Sequence, residues 1–197
     1  AWWPAKAQAT NIVICGVGGQ GIILASNVLC SSALAAGYDV KKSEVHGMAQ
    51  RGGSVITHVR FGKKVHSPLI EESTCDYMLA FEKLEALRYT GYLKKQGVMI
   101  VDDREIPPMS VLTGAATYPA HITAQLSKHG SVHLIDATRV ATELGNQRVV
   151  NTVLLGVLSR FLDLGEKHWH EAIRQHVKER YAALNIEAFD RGRKLLG

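Results

Sequence analysis

The sequence predicts an α/β protein: a Rossmann-like, largely parallel sheet with flanking helices and a mostly helical C-terminal third. Three observations carry that expectation. Short apolar runs of strand length alternate with longer segments of helical period, as strand–helix–strand units do. The first run leads straight into a glycine-rich turn, "ICGVGGQGI", residues 14–22. The last third holds one stretch, 148–165, that is apolar nearly all round, as a buried helix would be.

Taken in order, "NIVICG" reads as a short buried strand. "IILASNVLCSSALAAG" reads as a helix closed by Gly37. "YDVKKSEVH" is a second strand, "HGMAQRGG" a polar, glycine-rich loop, and "SVITHVRFG" an alternating, half-buried strand. "CDYMLAF" is another buried strand and "EKLEALRYTGYL" a helix. "GVMIVDD" is a strand apolar on both faces, and "VLTGAATYP" is irregular or a short strand. "AHITAQLSKHG" should be helical and "SVHLIDA" a strand, with Asp136 capping a helix through "TRVATELG". "EKHWHEAIRQHVKERY" places Trp169, Ile173, Val177 and Tyr181 on one stripe. "NIEAFDRGRKLL" reads as a last short helix with Asn185 as its N-cap.

Of 197 residues, 46% are hydrophobic and 21% charged, which excludes a disordered chain. A single domain is expected over residues 11–197. The tail before it, 1–10, lacks the basic start and apolar core of a signal segment. The longest apolar stretch, 149–164, is interrupted by Asn151, Arg160 and Asp163, so no membrane span is expected. The expected location is cytoplasmic. The net charge of +5 admits nucleic-acid binding, yet acids alternate with bases in "HVKERY" and "DRGRKLL" as on a solvated helix face, so no nucleic-acid partner is expected. Cys15, Cys30 and Cys75 have neither zinc nor iron–sulfur spacing. Cys15 and Cys30 read as reduced core residues, and the nine histidines show no ligand spacing, so no metal is expected on this chain.

Gly16, Gly18 and Gly21 fit the dinucleotide fingerprint G-x-G-x-x-G, between a strand and a helix as that motif requires. Its usual acidic partner belongs at the end of the second strand. Asp39 is at the right sequence distance but at the start of that strand, and Glu44 runs on into the second glycine loop. The turn therefore reads equally as a phosphate or nucleotide site and as a structural or interface element. The second constellation, "HGMAQRGGSV", carries His46, a proton-exchanging group near neutral pH, and Gln50 and Arg51 beside Gly52 and Gly53. Arg51 suits a carboxylate or phosphate clamp, and Met48 an adaptable docking contact. Loops after neighbouring strands share one sheet edge, where α/β proteins place ligands, so the two loops are expected to meet.

The pairing of "GVGGQGI" with "EVHGMAQRGGSV", and the later "VNTVLLGVL" and "NIEAFDRG", resembles the gamma-type domain of the 2-oxoacid:ferredoxin oxidoreductases over residues 11–192. The histidine-containing second loop is most similar to the beta subunits of the indolepyruvate branch. The resemblance implies an accessory subunit of an enzyme that decarboxylates a 2-oxoacid oxidatively to acyl-CoA and passes electrons to ferredoxin. It implies thiamine diphosphate, magnesium and 4Fe-4S clusters on a partner alpha subunit, coenzyme A as co-substrate, no cofactor on this chain, and an isolated chain without activity. Gly18, Gly19, Gln20, Gln50 and Arg51, with Gly16, Gly21, His46, Gly52 and Gly53 around them, are the expected active-site-facing surface by motif match. Two other readings stay open on the residues alone: a stand-alone NAD(P)-dependent dehydrogenase, and a Rossmann-type module that binds a phosphate-bearing ligand.

Overall fold

The computed structural model of the chain describes residues 9–46 and 52–196, with the side chain of His46 left out. Thr10, grouped with the tail in the sequence, is the first residue of strand β1 (Thr10–Val17). Helix α1 (Ile22–Ala35) follows, then β2 (Asp39–His46), β3 (Ser54–Gly62) and β4 (Cys75–Ala80). Next come α2 (Lys83–Arg88), β5 (Leu93–Asp102), α3 (Met109–Leu112), α4 (Ile122–Leu126) and β6 (Ser131–Ile135). The chain finishes with α5 (Ala137–Glu143), α6 (Val150–Ser159), α7 (Glu166–His176) and α8 (Glu179–Arg193).

The strands form one sheet in the order β2-β3-β1-β4-β5-β6. β1, β4, β5 and β6 pair in parallel, while β3 is antiparallel to both β1 and β2. Five strands therefore run one way and only β3 runs back, the largely parallel sheet expected from the alternating pattern. The strands of the parallel half read as apolar runs because helices cover both faces. Ile12 and Ile14 of β1 face a core completed by α1 and α5 to α8. Val13 and Cys15 face a smaller core with α2 and α4.

Local signals explain the ends of several elements. Gly37, at φ +87°, lets Tyr38 N donate to Ala33 O (3.1 Å) and Gly37 N to Leu34 O (2.9 Å), the hydrogen-bond pair of a Schellman stop. Asp136 caps α5 by accepting from Arg139 N, as expected.

Four expectations need correction. β3 is not half-buried: its residues 55–59 are all buried, because segment 63–74 folds back over it and Ile70 N donates to Nδ1 of the buried His58 (3.1 Å). Val111 and Leu112 of "VLTGAATYP" end the short helix α3, and the rest of the stretch, 113–119, is irregular, the other of its two readings, with no strand. The Trp169 stripe does not run through one helix: Val177 and Lys178 are extended and separate α7 from α8. No Gly or Pro marks that break; the β-branched Val177 packs back on the core. Asn185 is no N-cap but sits inside α8, buried, donating to Tyr181 O (2.9 Å) and accepting from Thr152 Oγ1 of α6 (2.8 Å).

α6 is buried at every residue. It crosses α8 so closely that a Cβ on Gly156 would run into the Phe189 carbonyl, and one on Gly192 into the Val153 carbonyl.

Candidate functional site

The connection leaving β1 turns to one side of the sheet and the connection leaving β4 to the other. Their C-terminal ends thus form the crevice where open α/β sheets bind ligands. The glycine turn lies at this crevice. Gly18 N donates to Gly53 O (2.8 Å) and Gly52 N donates to Gly18 O (3.2 Å), so the two glycine loops meet through their backbones. Of the second loop, Gln50 and Arg51 lie outside the described residues, as does the side chain of His46.

The fingerprint residues are engaged inside the protein. Gln20 folds back across the crevice: its Oε1 accepts from Val17 N (2.7 Å) and its Nε2 donates to Phe81 O (2.7 Å), tying the end of β1 to the end of β4. Gly16 makes room for that side chain, since a Cβ there would stand 2.7 Å from Gln20 Oε1 and 2.8 Å from Phe81 Cβ. Gly21, at φ +84°, makes room for Asn151 of α6, whose Nδ2 would lie 2.6 Å from an added Cβ and donates to Gly21 O (3.3 Å). Gly19 is the exposed tip. Among the described residues no side chain caps the start of α1.

A buried polar set supports the crevice from the α2 side. Ser54, immediately after Gly53, donates to the buried carboxylate of Glu85 and bonds Tyr89 Oη (2.8 Å). Glu82 is 1% exposed and accepts from Glu85 N (2.8 Å), Ile106 N (3.1 Å) and Tyr118 Oη. Burial, and then the Glu82 carboxylate, hold the Tyr118 hydroxyl protonated. Sequence reasoning missed this set: Glu82 and Glu85 lie in the "EKLEALRYTGYL" segment, which was given no role beyond a helix. At the end of β5, Asp102 is fully buried with Oδ1 accepting from Ala137 N (3.2 Å) and Oδ2 without a partner among the described residues. Burial raises its carboxyl to about 6.

Of the two acids the sequence offered as a ribose ligand, neither is free at the loop end of β2. Asp39 lies at the other edge of the sheet, seven residues and about 23 Å of strand from the loop end of β2. It accepts from Val65 N (2.8 Å) and from Lys41. Glu44 pairs with Lys42.

Burial pushes the Cys15 thiol well above its ordinary range, Cys30 to about 11 and Cys75 to about 12, so all three are held as protonated thiols. One His–acid grouping was not foreseen: Glu166, His170 and Asp190 bring their ligand atoms within 4.8 Å of one another. It reads as an ion-pair network between α7 and α8, with Arg193 also on Glu166 (3.4 Å).

With this geometry in view, comparison with known proteins is direct. The family profile described as pyruvate ferredoxin/flavodoxin oxidoreductase matches residues 11–195. The chain belongs to that family. It is 45% identical over 190 residues to the indolepyruvate oxidoreductase subunit IorB of Pyrococcus horikoshii, covering 93% of this chain and 94% of that one. It is 41% identical over 187 residues to the IorB subunit of Archaeoglobus fulgidus, covering 92% of each. In fold it is similar to the crystal structure of pyruvate oxidoreductase subunit PORC from Thermotoga maritima, with a TM-score of 0.72 at 20% identity over 94% of this chain and 95% of that one. Among the described residues no helix is long and apolar enough to cross a membrane.

Proposed function

We propose that the chain is the accessory (beta) subunit of a ferredoxin-dependent oxidoreductase that converts indolepyruvate, or another aryl pyruvate, to the acyl-CoA. The observation that carries this reading is the 41–45% identity to IorB subunits over more than nine-tenths of both chains. Two features of the molecule support it. The family's paired loops are joined by backbone hydrogen bonds at Gly18, Gly52 and Gly53. The crevice of the glycine turn is filled by Gln20 rather than left open for a dinucleotide.

In this reading the carbanion and electron-transfer chemistry belongs to thiamine diphosphate, magnesium and 4Fe-4S clusters on a larger alpha subunit, with coenzyme A as co-substrate and ferredoxin as acceptor in the cytoplasm. This chain contributes shape. The tied loop pair, Gly18 to Gly21 with Gly52 and Gly53, forms the surface that faces the partner's active site, and Gln50 and Arg51 belong to the same loop. Residues 11–197 act as one domain. Among the described residues, the exposed Ile23, beside the glycine turn, and Val45, near the end of β2, give that edge apolar contacts for a partner.

The test is anaerobic affinity purification of the chain from its source, followed by ferredoxin reduction assays with indolepyruvate, pyruvate and 2-oxoglutarate. The expected result is a large co-purifying partner, an inactive chain on its own, and a complex that reduces ferredoxin with indolepyruvate in a coenzyme A-dependent way. A chain that purifies alone and binds NADH at micromolar concentration overturns the reading.

A further inference from the structure

Beside the glycine turn, but outside its crevice, a cleft of about 350 Å³ opens between the first turn of α1, the segment leading into α6 and the link from α7 to α8. Arg148, His176, Lys178 and Arg180 line it, together with the apolar side of Leu24 and the ring of Tyr181. No carboxylate is among its lining residues. Among the described residues, the side chains of Arg148 and Lys178 make no ion pair, and Arg180 lies over the Tyr181 ring with its guanidinium 4.7 Å from the centroid. The cleft on the outer side of α7 and α8 differs: its Arg174, Arg191 and Lys194 share it with the carboxylates of Glu187 and Asp190.

Three permanent cations converging on one concavity repel each other, and an anion placed among them relieves that repulsion. Two of the three are guanidinium groups, whose fork geometry matches phosphate oxygens. The volume is at the small-molecule scale, and the stacked Arg180–Tyr181 pair and Leu24 offer flat, partly apolar surface next to the charges. We infer that this cleft binds a phosphate-bearing small molecule with a flat ring, a nucleotide in chemical class, with Arg148, Lys178 and Arg180 on its phosphates and Tyr181 and Leu24 beside its ring. The inference does not rest on the substrate or partner proposed above.

The experiment is calorimetric titration of the full chain with ADP, pyrophosphate and adenosine at low and high salt. ADP is expected to bind below about 1 mM, pyrophosphate more weakly and adenosine weakest, with the affinity falling as salt rises. Arg148→Ala and Arg180→Ala should each weaken ADP by about tenfold or more, with unchanged melting temperature, and Arg180→Lys should recover only part of the loss. Wild-type chain that binds neither ADP nor pyrophosphate overturns the inference. So does ADP binding that survives both alanine substitutions, or that is lost in Gln20→Ala instead, which would move the ligand to the glycine turn. A glutamate-rich peptide that binds where ADP does not would make the cleft an acidic-protein docking face and would also overturn it.

Discussion

The glycine turn after β1 and the cationic cleft beside α1 lie within one helical turn of each other, and they are built in opposite ways. In the turn, the polar groups of Gly18, Gln20 and Gly21 find partners within the chain, and the missing side chains of Gly16 and Gly21 are filled by Gln20, Phe81 and Asn151. In the cleft, Arg148 and Lys178 face open space without a counter-ion among the described residues. The region with the more famous sequence signature is thus the more structural one. The region without a signature keeps its binding capacity free.

Substitutions can break or sharpen that contrast. The largest effect is expected at Gly21→Ala, which forces a side chain into φ +84° and against Asn151. About 3 kcal/mol is expected, a fall of roughly 6–12 °C in a thermal melt. Adding Asn151→Ala should recover the steric part and leave the backbone part, which a double-mutant cycle separates.

Asp102 comes next, because it is fully buried and its Oδ2 has no partner among the described residues. Its folded carboxyl, raised to about 6, holds a proton that the unfolded chain releases at an ordinary pKa of about 3.9. Stability from this group is therefore full below pH ~4 and is lost, by about 2–3 kcal/mol, as the pH rises through ~6. Denaturant titrations at pH 4, 6 and 8 should show that decline in the wild type and a flatter profile in Asp102→Asn. Parallel profiles would mean that the carboxyl is not raised.

Gln20→Ala should cost about 2 kcal/mol, because it leaves Val17 N and Phe81 O without their partner. A variant as stable as the wild type would show that Gln20 is free to face a ligand. Gly19→Ala, at φ +103° with open space around it, should cost about 1 kcal/mol from backbone strain alone. Arg148→Ala, on the open side, should stay within about 0.5 kcal/mol of the wild type in the same melts. A larger loss would mean that the cleft cations hold the fold together after all.

The closed region was largely legible in the sequence. A strand–turn–helix with glycines at 16, 18 and 21 specifies its local shape. The two loops meet as expected but for another reason: β1 and β2 are not sheet neighbours, and the antiparallel β3 between them starts beside the end of β1, pairing Ser54 with Val17 and bringing Gly53 to Gly18. Gly37 and Asp136 announce their roles because capping depends on a few adjacent residues. What the sequence hid depends on distant chain. β3 looked half-exposed because the segment that covers it carries Ile70, twelve residues beyond His58. Asn185 looked like a cap because its partner Thr152 is on another helix. The cleft was hidden for the same reason: "HVKERY" reads as a solvated face until Arg148, about thirty residues earlier, is brought opposite it.

The α6–α8 crossing has a consequence for how the chain is made. α6 is the fully buried helix of the larger core, and the surface that closes over it at Gly156 is supplied by Phe189 and Gly192, near the end of the described chain. The central strand β1 leaves the ribosome early, but its core cannot close until α8 has emerged. At about 5–20 residues per second, translation leaves the nascent sheet with an uncovered face for several seconds or longer. In the proposed complex, docking onto a partner is therefore expected to wait until α8 has emerged, so its timing is set by that helix rather than by the glycine loops proposed to face the partner.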